Sequence, residues 1–338
     1  MGEKLITVVH CWSAPRSRST ALLYSFEARG TTTVAIDEPL YRQWLTERSE
    51  VPRPYRDQLI AGTPPEGATA QESSAWRREL LSLEDRLREA AELLPHEGLV
   101  FCKHMAKHSF LYDFEKEISG HDIGIIFRHK HLLLIRDPVA VLSSWSAAAS
   151  NHGNGATADE VGIVPLLSIY SAVQSRPGSG SVVVLDSDDL AKDPPKVLEG
   201  ICQELGIPYT NDMLTWQSGT HDCDGPWAKW WYADVHKSSG WQLNTPEYGA
   251  ARYRTLDPQL MPALHASFPA YQFLIQLTTG YKNRGPPAEK IYEDPRNAHI
   301  LAWIGPPGRG RLCPREMAGV SPWDSSVQGG DATWEGQC

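Results

Sequence analysis

The sequence predicts an α/β fold, a parallel sheet of about five strands flanked by helices. Three observations carry that prediction. Short apolar, β-branched runs alternate with segments of helical period along most of the chain. A turn dense in hydroxyl and guanidinium groups separates the first such strand from the first such helix. A later strand runs straight into an Arg-Asp-Pro helix start.

Leu5 to Cys11 reads as a buried strand, and apolar residues return at helical spacing from Ala21 to Phe26. Between them lies SAPRSRST. A helix N-terminus presents unpaired N–H groups and partial positive charge, which suits an anion. Ser17, Ser19 and Thr20 add hydroxyl donors, and Arg16 and Arg18 can grip oxyanions bidentately. A serine in such a turn often does no more than cap the helix. Two arginines interleaved with three hydroxyls favour a phosphate or sulfate site.

Thr31 to Asp37 predicts the second strand, ending in Asp37-Glu38-Pro39. Ligands of open α/β sheets sit beyond the carboxyl ends of the strands, so Glu38 is placed for chemistry. An isolated glutamate there is otherwise a surface loop residue. Residues 49–75, with Pro52, Pro54, Pro64 and Pro65, read as a long loop or lid. Residues 76–94 carry apolar positions at the spacing of one amphipathic helix. Leu99 to Cys102 predicts the third strand, followed by Lys103 and His104. These two can steady a leaving anion or move a proton; the competing reading is a pair of surface histidines, His104 and His108.

Leu132 to Ile135 predicts the fourth strand, with Asp137 as N-cap and Pro138 at the first helical position. Arg136 then leaves the strand tip, and Ser144 lies about two turns along the helix. The two can close on one phosphate, or form an ordinary surface pair. Residues 150–160 read as a loop, 161–173 as a helix, 181–185 as the fifth strand and 194–205 as a helix. Residues 209–245 hold Trp216, Trp227, Trp230, Trp231 and Trp241, either lining a substrate pocket or packing as a lid. A helix is expected over 258–277, broken at Phe268-Pro269.

Composition narrows the function. A net charge of −9 argues against a nucleic-acid binder. No apolar run approaches the roughly 18–20 residues that span a bilayer, and no signal peptide or myristoylation pattern is expected at the N-terminus. The six cysteines show no CxxC pair or metal-ligand spacing, which suits a reducing, cytoplasmic compartment and no metal.

Together these motifs resemble the sulfotransferases that use 3′-phosphoadenosine-5′-phosphosulfate, over about residues 5–275. The resemblance implies their P-loop-like fold and a sulfuryl transfer to a hydroxyl or amine of a small-molecule acceptor. It gives Arg16, Ser17, Ser19 and Thr20 the 5′-phosphosulfate, and Arg136 and Ser144 the 3′-phosphate. DEPLY matches the segment where some members place a catalytic glutamate, so Glu38 is the preferred base; members with a histidine after the strand-end lysine make His104 the second candidate. Arg18 and Lys103 are possible helpers. Arg18 is also a departure, since the family usually has glycine after this serine. Absence of a GxxxxGK[ST] pattern makes phosphoryl transfer from ATP the weaker reading.

The tail, LCPREMAGVSPWDSSVQGGDATWEG, resembles the opening of class IV aminotransferases. The implied organisation is a sulfotransferase-like domain over 1–278, a linker over 279–296 and an incomplete aminotransferase-like segment over 297–338. Its catalytic lysine would lie past Cys338, so no pyridoxal phosphate is expected. A non-catalytic nucleotide-binding or regulatory domain in such a fusion is the alternative function.

Overall fold

The computed structural model describes residues 3–51, 53–149, 158–176, 182–242 and 256–278. Its strands are β1 (Lys4–Ser13), β2 (Thr33–Asp37), β3 (Glu97–Met105), β4 (Ile125–Ile135) and β5 (Val183–Asp186). They form one sheet in the order β2-β3-β1-β4-β5. Every pairing is parallel, so the expected α/β class is borne out. The expected linker and aminotransferase-like segment lie outside the described residues.

Parallel neighbours need crossovers, and helices supply them. α1 (Ser19–Glu27) links β1 to β2. α2 (Tyr41–Glu47), α3 (Arg56–Ala61), α4 (Ala70–Arg78) and α5 (Leu83–Leu93) lie between β2 and β3. α6 (Pro138–Ala149), α7 (Ala158–Val161) and α8 (Ile163–Gln174) lie between β4 and β5. Then come α9 (Ser187–Lys192), α10 (Pro194–Leu205), α11 (Ala228–Trp231) and α12 (Met261–Ile275).

The central strands are covered on both faces, which is why they read as unbroken apolar runs. On one face Val9, Cys11, Phe101, Leu132 and Leu134 pack with Leu22, Leu23 and Phe26 of α1 and Leu198 and Ile201 of α10. A second cluster joins Tyr41, Trp44, Tyr55, Leu59 and Trp76 to Trp227 and Tyr232. No helix among the described residues is long and apolar enough to cross a membrane.

Three local expectations are corrected. The single helix over 76–94 is two, because Ser82 accepts from the Asp85 N–H in a capping box and restarts the chain. The loop over 49–75 contains α3 and the start of α4, which Thr69 and Glu72 cap in the same way. Pro269 does not break α12. The lost hydrogen bond is offset there by Leu264, Phe268, Tyr271 and Leu274, all buried on both sides of it.

Candidate active site

The strand order reverses about β1, whose crossover leads to β2 while β4 lies on its other side. Such a reversal opens a crevice beyond the carboxyl ends of the strands. The turn from β1 to α1 occupies it. Arg16 and Arg18 both adopt left-handed backbone there, with φ of 61° and 65°. That conformation costs an L-residue about 1–2 kcal/mol, and contacts with distant elements offset it. Arg18 donates to Asp188 Oδ1 at 2.8 Å and to Ser187 Oγ at 3.1 Å.

Arg16 Nε donates to Ser144 Oγ at 3.1 Å, and Arg136 Nη1 donates to the Arg16 carbonyl at 2.5 Å. Asp137 caps α6 as expected, accepting from the Val139 N–H at 2.8 Å, and so fixes Arg136 at the strand tip. The residues of the two anion motifs are therefore brought together. Arg16, Arg18, Ser19, Thr20, Arg136 and Ser144 all line one cleft of ≈ 610 Å³. Ser17 is the exception: fully buried, its hydroxyl donates to the Ala14 carbonyl at 2.6 Å and braces the turn from behind.

A smaller chamber of ≈ 80 Å³ adjoins the cleft, and Arg16, Ser19, Thr20, Trp231 and Tyr232 belong to the walls of both. Glu38 and Lys103 face this chamber. Glu38 follows β2 in a left-handed turn, φ 37°, anchored by its N–H to the Lys103 carbonyl at 2.8 Å. The register of β2 on β3 sets Asp37 beside Lys103. Lys103 Nζ then lies 2.8 Å from both Asp37 Oδ1 and Glu38 Oε1 and 2.6 Å from the Tyr232 hydroxyl. Tyr232 in turn donates to Asp37, and Trp227 Nε1 donates to Tyr232 at 3.0 Å.

Burial raises the Glu38 pKa and outweighs the opposing pull of Lys103, while Asp37 pushes it further up. For Lys103 burial works against the charge, yet Asp37 and Glu38 hold its pKa above the ordinary lysine value. A carboxylate whose pKa is raised is a stronger base than an ordinary one, and Glu38 borders the chamber beside hydroxyl and guanidinium donors, a placement that suits proton removal from a bound acceptor.

His104 is not brought to this site. Side chains alternate along a strand, so when Lys103 faces the chamber His104 faces the opposite side of the sheet. There it is fully buried, 3.0 Å from His10 Nδ1 and stacked on Trp12 at 4.2 Å. Burial depresses its pKa to about 3. His108 is fully buried as well, so the surface-pair reading fails too. Among the described residues His10, Cys102 and His104 form a buried group whose side-chain atoms lie within 4.8 Å of one another. Sequence spacing did not reveal it because the sheet register assembles it.

The tryptophan-rich segment lines both cavities: Trp216 and Trp241 border the cleft, Trp227 the chamber, and Trp231 both. Sequence reasoning missed Tyr232, Arg53, Lys107 and Trp145, which also face the chamber. Lys107, four residues past Lys103 and just beyond the end of β3, was the one signal available in the sequence.

Branched-chain-amino-acid aminotransferase-like proteins 1 and 2 of Arabidopsis thaliana are each 34% identical to the chain, over 97% of it and 52% of their own length. The chain thus spans about half the length of the curated relatives it matches. Among solved structures, the sulfotransferase domain of the Synechococcus PCC 7002 olefin synthase is similar at 17% identity and a TM-score of 0.46, over 80% of this chain and 95% of that one. The sulfotransferase of Alicyclobacillus acidocaldarius is similar at 14% identity and a TM-score of 0.39, over 83% and 97%. Residues 7–79 and 85–271 match the sulfotransferase domain family, and the chain belongs to that family.

Proposed function

We propose that this domain moves the sulfuryl group of 3′-phosphoadenosine-5′-phosphosulfate to a hydroxyl or amine of a small acceptor. The observation that carries the reading is the wall of Arg16, Ser19 and Thr20 shared by the cleft and the chamber. In this reading Arg136 and Ser144 take the 3′-phosphate, and the β1–α1 turn takes the phosphosulfate. The acceptor enters the chamber, and Glu38 removes its proton as the new bond to sulfur forms. The bond from sulfur to the bridging oxygen breaks, and the electron pair leaves on the bisphosphate. Arg16, Ser19 and Thr20 stand where that charge grows, the arrangement in which each fixed donor contributes about 10²–10³ in rate. Lys103 keeps Glu38 oriented and partly offsets the effect of burial on it.

Glu38→Gln tests the assignment. Turnover should fall by about 10²–10⁴, while affinity for 3′,5′-bisphosphoadenosine stays within twofold. Wild-type turnover in that variant would remove Glu38 from the mechanism. A non-catalytic nucleotide-binding domain is the second reading, favoured by Arg18, which stands where the family usually has glycine and is tied to Asp188. It predicts bisphosphate binding with no turnover on any acceptor.

A further inference from the structure

We propose that Tyr232 is a positioning residue: through Lys103 it holds one oxygen of Glu38 in the wall and leaves the other, Oε2, to take the acceptor's proton. The inference rests on the sulfuryl-transfer reading of this same site. Hydrogen-bond saturation carries it. A lysine ammonium has three N–H donors. Those of Lys103 go to Asp37 Oδ1 and Glu38 Oε1, each at 2.8 Å, and to the Tyr232 hydroxyl oxygen at 2.6 Å. None is left over for a sulfuryl oxygen. The Tyr232 hydroxyl is as fully engaged. Its O–H donates to Asp37 Oδ2 at 2.8 Å, and its oxygen also accepts from Trp227 Nε1 at 3.0 Å. With its proton directed to Asp37, it can meet Lys103 only as an acceptor, which fixes the third N–H and so the direction of the other two.

The two carboxylates on Lys103 then differ. Asp37 is closed, because Oδ1 accepts from Lys103 and Oδ2 accepts from Tyr232 and from the Gly225 N–H at 3.1 Å, in a side chain 1% exposed. Glu38 is open on one side. Its Oε1 accepts from Lys103, whereas Oε2 accepts no hydrogen bond from any described residue and is not shut off from solvent. Glu38 borders the chamber and Asp37 does not. As the transfer proceeds, the acceptor's O–H or N–H bond breaks, its proton goes to Oε2 and its electron pair to the new bond to sulfur. Without the Tyr232 hydroxyl, one N–H of Lys103 would stand unpaired in a buried site, which is costly. Oε2 is the free acceptor beside it, so the ammonium would turn to both oxygens of Glu38 and cover the base.

Tyr232→Phe keeps the ring and removes only the hydroxyl. The test reads release of 3′,5′-bisphosphoadenosine from the co-substrate with ethanol, ethanolamine and phenol as acceptors. In Tyr232→Phe, kcat should fall at least about tenfold, while co-substrate KM and bisphosphate affinity stay within about twofold. Bisphosphate affinity also reports a folded site, since Tyr232 borders the cleft as well as the chamber. Because the loss passes through Glu38, adding Tyr232→Phe to Glu38→Gln should cost less than about twofold more. An unchanged kcat, a matching loss of bisphosphate affinity, or an equal fold-loss in the Glu38→Gln background would each overturn the positioning role. A wild type that releases no bisphosphate with any of the three acceptors would instead overturn the sulfuryl-transfer reading beneath it.

Discussion

Lys103 Nζ and Glu38 Oε1 lie 2.8 Å apart at the carboxyl edge of the sheet, the lysine 1% and the glutamate 9% exposed in their side chains. Neither position could carry its charge alone. Replacing Lys103 with Met leaves Asp37 and Glu38 side by side in a buried site, and removing one partner of a buried pair costs about 3–5 kcal/mol. Urea denaturation should show a loss of that order. Lys103 also pulls the Glu38 pKa down against burial, so its removal should move the acid limb of the pH–kcat profile upward. An unmoved limb would mean that Glu38 is not the titrating base.

Arg18 holds a left-handed backbone conformation in which a Cβ is strained. Arg18→Ala and Arg18→Gly both lose the contacts to Asp188 and Ser187, but only glycine also relieves the strain. The glycine variant should be the more stable of the two by about 1 kcal/mol. Equal midpoints in thermal denaturation would show that the turn relaxes freely.

The histidines behind the sheet predict a pH dependence of stability. Burial lowers the pKa of His10 well below its ordinary value, and that of His104 to about 3, against an ordinary value of 6.5. The unfolded chain therefore binds these protons at higher pH than the folded one. Their contribution is fully present above about pH 6.5 and is lost as pH falls toward 3. Each such proton steepens the fall by about 1.4 kcal/mol per pH unit. His104→Asn should flatten the curve between pH 6 and 4 by about that slope, read from denaturation midpoints across the range. A curve of unchanged steepness would contradict the neutral, buried imidazole.

Much of the cleft was legible in the sequence because its chemistry is local. Arg16, Ser19 and Thr20 sit within one turn, and Arg136 and Ser144 on one strand–helix junction whose spacing fixes their geometry. Glu38 was legible as a strand exit. Ser17 was misread because nothing local distinguishes a hydroxyl facing the cleft from one donating to the Ala14 carbonyl. His104 was misread because strand phase was needed, and the third strand was expected to end at Cys102 when it runs on to Met105. Tyr232 was invisible for a different reason: it reaches Lys103 across 129 residues of chain through the tryptophan-rich segment. Arg53 and Lys107 likewise meet at Glu160 of α7, 107 and 53 residues along the chain from them.

The most direct measurement is a thermal-shift titration with 3′,5′-bisphosphoadenosine, run beside 5′-AMP and Mg-ATP and repeated on Arg136→Ala. A ligand confined to the native state adds about 2.7 kcal/mol at 100 times its Kd, a readily measured rise in midpoint. The account predicts stabilisation by the bisphosphate well beyond that by AMP, and loss of the difference in Arg136→Ala. A response to Mg-ATP alone, or equal responses to bisphosphate and AMP, would contradict it.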